Sequence, residues 1–495
     1  MSSPSPTASA ERLPRAQAAP RLAPADIAAS ALERYRPLID DWDAFAAALG
    51  RPLPPCVWAN PSRISVTELA ELLAEQGLQP HPVAGLPDAL RLPAETKAGR
   101  HWWYCAGLAH AQEEVSQLPV RLMDLTPGHR VLDLCAAPGG KTAQIAFALG
   151  NRGTLVANDI ASGRLKSLQG NLDRLGVVNV TTTCCDGANW PAAGGQFDRV
   201  LVDVPCSGEG TLRRNPSLLA RLDPAMAARL GARQRALLRK AVQRCRPGGR
   251  ILYSTCTFAP EENELVVADI LAELPGRVRL LPATIPGFIT KPGVTAWQGR
   301  EMPPELVRCL RVWPHHQDTG GFFMAVLEKD VRSLTESPPE LARLDTAEAA
   351  GWLAGLDAKY GLGAAYWSGF RAHRQTRRGL HLMASDHAPP SEPRAESSGL
   401  FFHRTSVRPP KPSTGGAMLF GRDATRFRVA LDTQQRDRYL RRETFAPTPA
   451  QRAAMPPGQI VVTYRGYVLG VAVLHRSGVI ESLFPRRWSG CTSAG

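Results

Sequence analysis

The chain has 495 residues, of which 44% are hydrophobic, and this composition excludes a wholly disordered protein. No run of 18 apolar residues occurs, so no membrane span is expected, and the ten cysteines lack the CxxC spacing of zinc sites. The net charge is +14, and residues 331–495 carry +10 of it, with 23 Lys and Arg against 13 Asp and Glu. This excess favours a polyanionic partner such as nucleic acid over a merely solvated basic surface. A reducing, cytoplasmic setting without an obligate protein partner is the simplest expectation.

The amino-terminal part divides into a tail and a small domain. Residues 1–25 are rich in Ser, Pro and Ala, which predicts a disordered tail. A transit peptide has a similar composition, but no amphipathic arginine helix is evident. Residues 26–120 predict a small α+β domain, because apolar residues recur at helical spacing from Ile27 to Phe45 and a second helical pattern runs over Ser65–Gly77.

Residues 121–330 alternate between strand and helix patterns. The predicted strand cores are Arg130–Leu134, Thr154–Asn158, Val177–Thr183, Arg199–Val204, Arg250–Ser254 and Gly321–Leu327. The predicted helices between them are Thr142–Leu149, Ser162–Leu175, Asp223–Cys245 and Glu261–Leu274. Because buried strands joined by helical crossovers form parallel sheets, this pattern predicts a doubly wound parallel sheet of the α/β class.

The rest of the chain is predicted in three parts: a helical segment over 331–384, a linker over 385–398 and a compact β-rich domain over 399–495. Within the helical segment, four arginines lie beside three aromatic residues, a pattern that suits either RNA contacts or solvated arginines over a core. These residues are Arg371, Arg374, Arg377, Arg378, Tyr366, Trp367 and Phe370.

A glycine-containing turn follows the first strand of the α/β domain, within Arg130–Thr142 (RVLDLCAAPGGKT). Such turns let a ligand approach the backbone and the first amides of the next helix. The motif partly resembles a phosphate-binding loop, but Cys135 stands where that loop needs glycine, which weakens an NTPase interpretation. A nucleoside cofactor fits better, because three carboxylates that follow successive strands, Asp159, Asp186 and Asp203, are expected at one edge of the sheet.

Two cysteines lie just beyond the fourth and fifth strands. Cys206 belongs to Asp203–Gly208 (DVPCSG), and Cys256 belongs to Leu252–Thr257 (LYSTCT). Neighbouring strands would bring both thiols to the mouth of the crevice, where a thiolate can attack an electron-poor ring carbon. Seven other cysteines are expected to be small buried residues: Cys56, Cys105, Cys184, Cys185, Cys245, Cys309 and Cys491.

These blocks resemble the signature sequences of the RsmB/RsmF/Nop/Sun family of RNA cytosine-5 methyltransferases. The blocks that carry the resemblance are Val131–Lys141, Asp203–Gly208, Tyr253–Glu264, Gly107–Val120 and His315–Phe323. The resemblance covers about Ile27–Asp330. The C-terminal part more loosely resembles the RsmF branch of this family, which methylates small-subunit ribosomal RNA and carries a PUA-like domain.

The resemblance implies a Rossmann-like, class I S-adenosylmethionine-dependent methyltransferase sheet, flanked by an N-terminal and a PUA-like C-terminal RNA-binding domain. Its implied cofactor-binding residues are Cys135, Ala136, Ala137, Pro138, Gly139, Gly140, Lys141, Asp159, Asp186 and Asp203. In catalysis, Cys256 is implied as the nucleophile and Cys206 as the residue that assists product release. Asp203 is implied beside the cytosine, and Lys141 is an implied helper of the pocket or else a surface cation. No metal is expected.

The implied substrate is RNA, with small-subunit (16S) ribosomal RNA favoured over transfer RNA. A non-catalytic RNA-binding assembly factor and a DNA cytosine-5 methyltransferase are the competing classes. The intact thiol pair argues against the first, and Cys256 would lack a purpose in the second. Two departures from the family pattern stand out: Gly321 replaces a common acid, which predicts a looser turn, and Trp58 replaces an arginine, which puts one RNA contact in doubt.

Overall fold

The computed structural model describes residues 30–333 and 338–488, so the predicted tail over 1–25 lies outside the described residues. In chain order the strands are β1 (Cys56–Ala59), β2 (His81–Val83), β3 (Leu86–Arg91), β4 (Ala109–Ala111), β5 (Arg130–Asp133), β6 (Thr154–Asn158), β7 (Val180–Thr183), β8 (Phe197–Asp203), β9 (Cys245–Thr255), β10 (Val278–Leu280), β11 (Lys291–Pro292), β12 (Ala296–Trp297), β13 (Arg300–Glu301), β14 (Leu310–Val312), β15 (Phe322–Lys329), β16 (Phe370–Thr376), β17 (Gly379–Ala384), β18 (Ala395–Ser398), β19 (Leu400–Arg404), β20 (Lys411–Pro412), β21 (Arg428–Ala430), β22 (Thr444–Phe445), β23 (Gly458–Tyr464), β24 (Tyr467–Leu474) and β25 (Ile480–Ser482).

The helices are α1 (Trp42–Leu49), α2 (Val66–Ala74), α3 (Trp102–Cys105), α4 (Glu114–Leu122), α5 (Gly140–Ala148), α6 (Ser162–Leu175), α7 (Pro224–Arg244), α8 (Glu264–Glu273), α9 (Pro314–Gln317), α10 (Ala349–Tyr360), α11 (Thr414–Phe420), α12 (Thr433–Leu440) and α13 (Pro449–Ala453). Within the two described ranges, no helix has the length and apolar character needed to cross a membrane.

The central sheet has the strand order β11-β14-β15-β9-β8-β5-β6-β7-β18, and β10 pairs with β15. Within the group β5 to β9, every pair of neighbouring strands is parallel, as predicted. Side chains that alternate along each strand reach opposite faces, where two separate apolar cores cover the sheet. Val131 and Leu201 lie in one core, and Leu132 and Val200 lie in the other.

The prediction of a wholly parallel sheet is wrong for the strand predicted at Gly321–Leu327. This strand is β15, and it runs antiparallel to β9 and to β14. Only residues 313–321 join β14 to β15, and they include the single-turn helix α9. A parallel return needs a crossover of about a dozen residues or more, so this short connection requires antiparallel pairing.

Among the described residues, the N-terminal domain does not include residues 30–50, although the prediction placed its start at residue 26. Its antiparallel sheet, β2-β3-β1-β4, spans residues 56–111. Residues 30–50 instead pack on the central sheet, where the Phe45 ring lies 5.6 Å from that of Phe258 and 6.0 Å from that of Trp313. The predicted helix of this segment is broken into a 3-10 turn over Glu33–Leu38 and α1, because a new helix starts where Asp41 accepts a hydrogen bond from the Ala44 amide.

The prediction of a helical segment over 331–384 is wrong for its second half. Helix α10 is present, but β16 and β17 follow it as a hairpin that joins β19 and β20 in a four-stranded sheet. After Phe370 the stretch is therefore extended, with Ala372 and His373 buried between the exposed Arg371 and the partly exposed Arg374. The boundary predicted at 399 falls inside this sheet, and the C-terminal five-stranded sheet β21-β23-β24-β25-β22 begins only at Arg428.

The linker predicted over 385–398 contains a strand of the central sheet. Its last four residues form β18, which pairs antiparallel with β7 at the edge of that sheet. The Thr181 hydroxyl donates to the Ser398 hydroxyl at 3.0 Å across this pair. Gly399 alone separates β18 from β19, and it turns the chain with a φ of +70°. A Cβ atom at this position would lie 2.4 Å from the Leu382 carbonyl oxygen, so only glycine fits the corner.

Candidate active site

The two cysteines predicted to share the crevice are brought together by neighbouring strands. Strands β8 and β9 are parallel, with Asp203 opposite Ser254, and the sulfur atoms of Cys206 and Cys256 lie 3.3 Å apart just beyond them. Both thiols are partly accessible. The hydrogen bond with Cys256 and burial together raise the pKa of the Cys206 thiol. The pair therefore presents two neighbouring sulfur atoms, of which Cys206 resists ionisation.

A buried carboxylate that the sequence interpretation missed joins the two cysteine loops. Glu209, three residues after Cys206, accepts hydrogen bonds from the Thr257 hydroxyl at 2.9 Å and from the Phe258 amide at 3.1 Å. The Tyr35 hydroxyl also donates to it at 2.9 Å. Burial raises the pKa of Glu209. The N-terminal segment thus contributes directly to the support of the cysteine pair.

A second buried carboxylate holds the Cys206 loop from the other side. Glu262 accepts from the Ser207 amide at 3.0 Å and from the Gln234 side chain at 2.8 Å. The Ser207 and Thr257 hydroxyl oxygens are 2.7 Å apart, which closes the link between the loops. Because each polar contact is buried or partly buried, these loops are held in one arrangement relative to each other.

Asp203 and Lys141 form an ion pair beside the thiols. The Lys141 ammonium lies 2.8 Å from the Asp203 carboxylate and donates to the Ser116 hydroxyl, also at 2.8 Å. The other Asp203 oxygen accepts from the Ser254 hydroxyl at 2.7 Å. The side chain of Lys141 is only 10% exposed, so its interpretation as a surface cation does not hold. Three elements, α5, β8 and β9, therefore fix the position of this carboxylate.

The predicted cofactor loop, Cys135–Lys141, connects β5 to the first turn of α5. Gly139 caps this helix without any side-chain hydrogen bond to the first-turn amides, so the amino end of α5 offers donors to an anionic group. Asp159 follows β6 and supports the loop by accepting from the Ala137 amide at 3.2 Å. The loop chemistry fits a nucleoside cofactor that carries a carboxylate.

The three predicted acids lie at the same edge of the sheet, since they follow or end the parallel strands β6, β7 and β8. Asp159 is buried and also pairs with Arg164 at 3.2 Å. Asp186 is partly exposed and accepts from the Ala188 amide at 3.2 Å. Ile160 is 53% exposed beside Asp159, and the sequence interpretation did not select it. An exposed apolar side chain after a strand-end acid is suited to contact a purine ring.

Asp133 is a further buried acid near the loop that the sequence interpretation missed. It is 1% exposed and accepts from the Thr142 hydroxyl at 2.7 Å, at the first turn of α5. Burial raises the pKa of Asp133 to about 7. The signal was available in the sequence, because an acid stands there within the apolar strand pattern Val131–Leu134.

Both departures from the family pattern have structural explanations. Gly321 does not make a loose turn, because a Cβ atom there would lie 2.1 Å from the Phe258 ring, and its amide donates to the Gly210 carbonyl at 2.9 Å. The prediction of a looser turn is therefore wrong. Trp58 is 3% exposed, and its indole donates to the Gln112 side chain at 3.0 Å. At this position the chain has a buried structural side chain.

Comparisons with known proteins agree with this geometry. Residues 120–328 match a family model described as 16S rRNA methyltransferase RsmB/F, and residues 426–489 match one described as the PUA domain of methyltransferase RsmF. Residues 120–328 thus carry a methyltransferase domain of the RsmB/F family. The resemblance seen in the sequence is thereby confirmed, as is the Rossmann-like sheet with a C-terminal PUA-like domain.

Named relatives of this RsmB/F member match over its larger part. Ribosomal RNA small subunit methyltransferase F of Klebsiella pneumoniae is 36% identical over 295 residues, which are 58% of this chain and 60% of that protein. The protein of the same name from Erwinia tasmaniensis is 35% identical over 311 residues, 60% of this chain and 62% of that one. The matches thus span about 60% of the length of these curated relatives.

A solved structure supports the fold of the RsmB/F part. The methyltransferase homolog protein from Pyrococcus horikoshii is 31% identical and superposes with a TM-score of 0.53, covering 61% of this chain and 99% of that chain.

Proposed function

We propose that this RsmB/F family member is an S-adenosylmethionine-dependent RNA methyltransferase that forms 5-methylcytidine in small-subunit ribosomal RNA. The observation that carries the proposal is the 3.3 Å approach of the Cys206 and Cys256 sulfur atoms beside the Lys141–Asp203 ion pair. An RNA-binding assembly factor without catalysis has no use for such a pair. The paired thiols suit the covalent activation of a pyrimidine ring.

Cys256 is the proposed nucleophile. Carbon 5 of cytosine is a weak nucleophile, and attack of a thiolate on carbon 6 moves the ring electrons to carbon 5. Once carbon 5 carries the methyl group, Cys206 is the proposed proton acceptor. It must first lose its own proton to solvent, and its raised pKa then makes the resulting thiolate a strong base towards the proton on carbon 5. When Cys206 takes the proton from carbon 5, those electrons restore the double bond between carbons 5 and 6. The bond from carbon 6 to the Cys256 sulfur breaks, and the thiolate is released.

Asp203 and Lys141 are proposed to orient and stabilise the ring during attack. The carboxylate is held by Lys141 and Ser254, so it needs no rearrangement when charge moves into the ring. A fixed polar group that faces developing charge lowers the barrier more than a mobile one. Asp203 is assigned to ring nitrogen 3, with which it shares a proton, because only a protonated contact stabilises the negative charge that moves into the ring. Lys141 positions Asp203.

The proposed cofactor residues are those of the Cys135–Lys141 loop together with Asp159, Asp186 and Asp203. The uncapped amides of α5 suit the carboxylate of the cofactor, and Asp159 and Asp186 suit its ribose hydroxyls and adenine edge. When bound, S-adenosylmethionine supplies an electrophilic methyl group on a sulfonium. The family match and the open loop both support this assignment.

The proposed substrate is 16S ribosomal RNA. Its support comes from the family description, from relatives named ribosomal RNA small subunit methyltransferase F and from the PUA-domain match at residues 426–489. The target base must leave its stack to reach Cys256, so single-stranded or loop RNA is favoured. This substrate agrees with the expected cytoplasmic setting.

The deciding experiment is transfer of a tritiated methyl group from S-adenosylmethionine to unmodified 16S RNA, to assembled small subunits and to transfer RNA. Digestion to nucleosides should place the label in 5-methylcytidine, with ribosomal RNA the preferred substrate. Label only in transfer RNA would correct the substrate and leave the chemistry intact. Absence of cofactor binding would overturn the enzymatic proposal in favour of an assembly factor.

A further inference from the structure

The arginine cluster predicted within residues 366–378 does not form one RNA-contacting surface. The Arg371 guanidinium donates to the His387 carbonyl, and Arg374 pairs with Glu348. The neighbouring Trp367 is only 8% exposed and belongs to the core beneath α10. The first two arginines are therefore structural, and unpaired basic side chains must be sought elsewhere on the four-stranded sheet.

Such side chains line a groove of about 770 Å³ between three parts of the molecule. One wall is the four-stranded sheet, the second is the C-terminal PUA-like domain, and the third is the end of α6. The sheet contributes Arg378, Arg404 and Lys411, and the PUA-like domain contributes Arg442.

The positive side chains of this groove are not paired with carboxylates of the protein. Among residues 30–333 and 338–488, no carboxylate lies within ion-pair distance of Arg378, Arg404, Lys411 or Arg442. The acids lining it are Asp173, which already accepts from Gln169, and the exposed Glu396. The Arg404 guanidinium stands 5.2 Å from the centre of the Phe401 ring, which also lines the groove. Cations beside a partly exposed aromatic ring are suited to phosphates and stacked bases.

Helix α6 connects this groove to the cofactor loop. Near its middle, the Asn171 side chain donates to the Pro138 carbonyl of that loop at 3.0 Å, and Asp173, two residues later, lines the groove. At a rise of about 1.5 Å per residue, Arg164 at the loop end and Asp173 at the groove end are about 14 Å apart. The groove therefore lies near the cofactor loop, about 14 Å away along this helix.

We propose that the groove lined by Arg378, Arg404, Lys411 and Arg442 binds the phosphate backbone of the RNA substrate at a distance from the target base. This inference rests on the proposed function and adds to it the surface that holds the RNA. The contacts are with phosphates, so the groove contributes affinity without reading sequence. A protein partner of acidic character is the competing occupant, and the RNA measurements below decide against one of the two.

The test uses the full-length triple variant R378Q/R404Q/K411Q. It removes three positively charged side chains that make no ion pair among the described residues. RNA affinity and methyl transfer are measured on unmodified 16S RNA over a series of salt concentrations. We expect the Kd and KM for RNA to rise about tenfold or more, and the slope of log Kobs against log salt to fall in magnitude by about 2, since each single-strand phosphate contact contributes about 0.7. The Kd for S-adenosylmethionine should stay unchanged, which checks the fold.

The matched control is R152Q/R279Q/R476Q, which removes the same charge at exposed positions outside the groove. Arg279 pairs with Glu328, near the C-terminal end of β15. Losing this pair should not unfold the control, because an exposed ion pair contributes little to stability. The control should keep the wild-type affinity and salt slope. Equal losses of RNA affinity in both triple variants would mean that RNA responds to the total charge of the protein and not to the groove, which would overturn the inference. Wild-type methyl transfer with an unchanged KM in R378Q/R404Q/K411Q would overturn it too, whereas no transfer by the wild type would instead contradict the proposed function.

Discussion

The roles of single residues follow from unequal surroundings of similar groups. Cys206 and Cys256 are 3.3 Å apart, yet the raised pKa of Cys206 disfavours it as the attacking thiolate and leaves that role to Cys256. Once Cys206 has lost its proton, the same raised pKa makes it a strong base for the later proton removal. The proposal thus divides two chemically identical thiols between bond formation and proton removal.

This division predicts opposite phenotypes for two alanine variants. Cys256→Ala should lower methyl transfer by about 10⁴-fold or more, because the nucleophile is lost, and should form no covalent RNA adduct. Cys206→Ala should accumulate an adduct that survives denaturing electrophoresis, because carbon 5 keeps its proton and Cys256 is not expelled. Electrophoresis of labelled RNA with each variant measures this. An adduct in Cys256→Ala, or none in Cys206→Ala, would contradict the assigned roles.

Asp133 predicts a pH dependence of stability. Its pKa rises from 3.8 in the unfolded chain to about 7 in the folded one, so the folded form keeps its proton between these values while the unfolded form loses it. Unfolding then releases a proton, and the free energy of unfolding falls as pH rises from about 4 to about 7. At 1.36 kcal/mol per pKa unit, this decline is at most about 4 kcal/mol.

The Asp133→Asn variant should show a smaller decline than the wild type, since an amide does not titrate and can still accept from Thr142, whereas Glu113 and Glu209 keep their raised pKa values. Denaturant unfolding at several pH values between 4 and 8 measures it. Asp88→Asn, at an exposed position, should give a curve parallel to the wild type. Identical slopes for the wild type and Asp133→Asn would exclude Asp133 as the source.

At the scale of elements, the arrangement of the two cysteine loops depends on Glu209. Its carboxylate belongs to the Cys206 loop and accepts hydrogen bonds from the Cys256 loop. Glu209 accepts from Tyr35, Thr257 and Phe258 with two oxygens. Glu209→Gln replaces one of these acceptors by a donor, which should lower the free energy of unfolding by about 1–3 kcal/mol.

The same substitution should slow adduct formation in the Cys206→Ala background, because the Cys256 loop loses its support. The matched variant is Tyr35→Phe, which removes only one donor and should cost about 1 kcal/mol with little change in adduct rate. Chemical denaturation and a time course of adduct formation separate these effects. An unchanged adduct rate in Glu209→Gln would leave Glu209 a purely structural residue.

The elements near the site were more predictable from sequence than those after it. Thr154–Asn158 and Ser162–Leu175 agree with prediction to the residue, because apolar runs, caps and glycine ends act locally. The meeting of Cys206 with Cys256 followed from strand order alone. The support by Tyr35 and Glu209 joins residues 174 positions apart, and no local pattern indicates such a contact. Strand β18 was interpreted as linker because its pairing with β7 depends on a distant partner.

At the scale of the whole molecule, β18 makes the catalytic sheet dependent on the C-terminal region. Strand β7 would become an edge strand if the chain ended after Asp330, and it carries Thr181 and Thr183, which are fully buried in the intact chain. Exposed, uncharged edge strands associate with one another.

A fragment of residues 30–330 should therefore form concentration-dependent aggregates, whereas the intact chain should not. Thr181→Lys in that fragment should reduce aggregation, because a charge at the edge opposes strand pairing. Size-exclusion chromatography with light scattering at several concentrations measures both. A fragment that is monomeric and as stable as the intact chain would show that β18 is dispensable.

The single residue between β18 and β19 gives the molecule a fixed internal length. Gly399 joins β18 of the central sheet directly to the sheet that carries Arg404 and Lys411. Because the turn is a single crowded residue, the two sheets have little freedom to move apart. An RNA held by those cations would meet Cys256 only if the nucleotides between the two points span that set distance. If the groove binds the RNA backbone as proposed, we expect the choice of cytidine to depend on the number of nucleotides between it and the bound phosphates as well as on its identity.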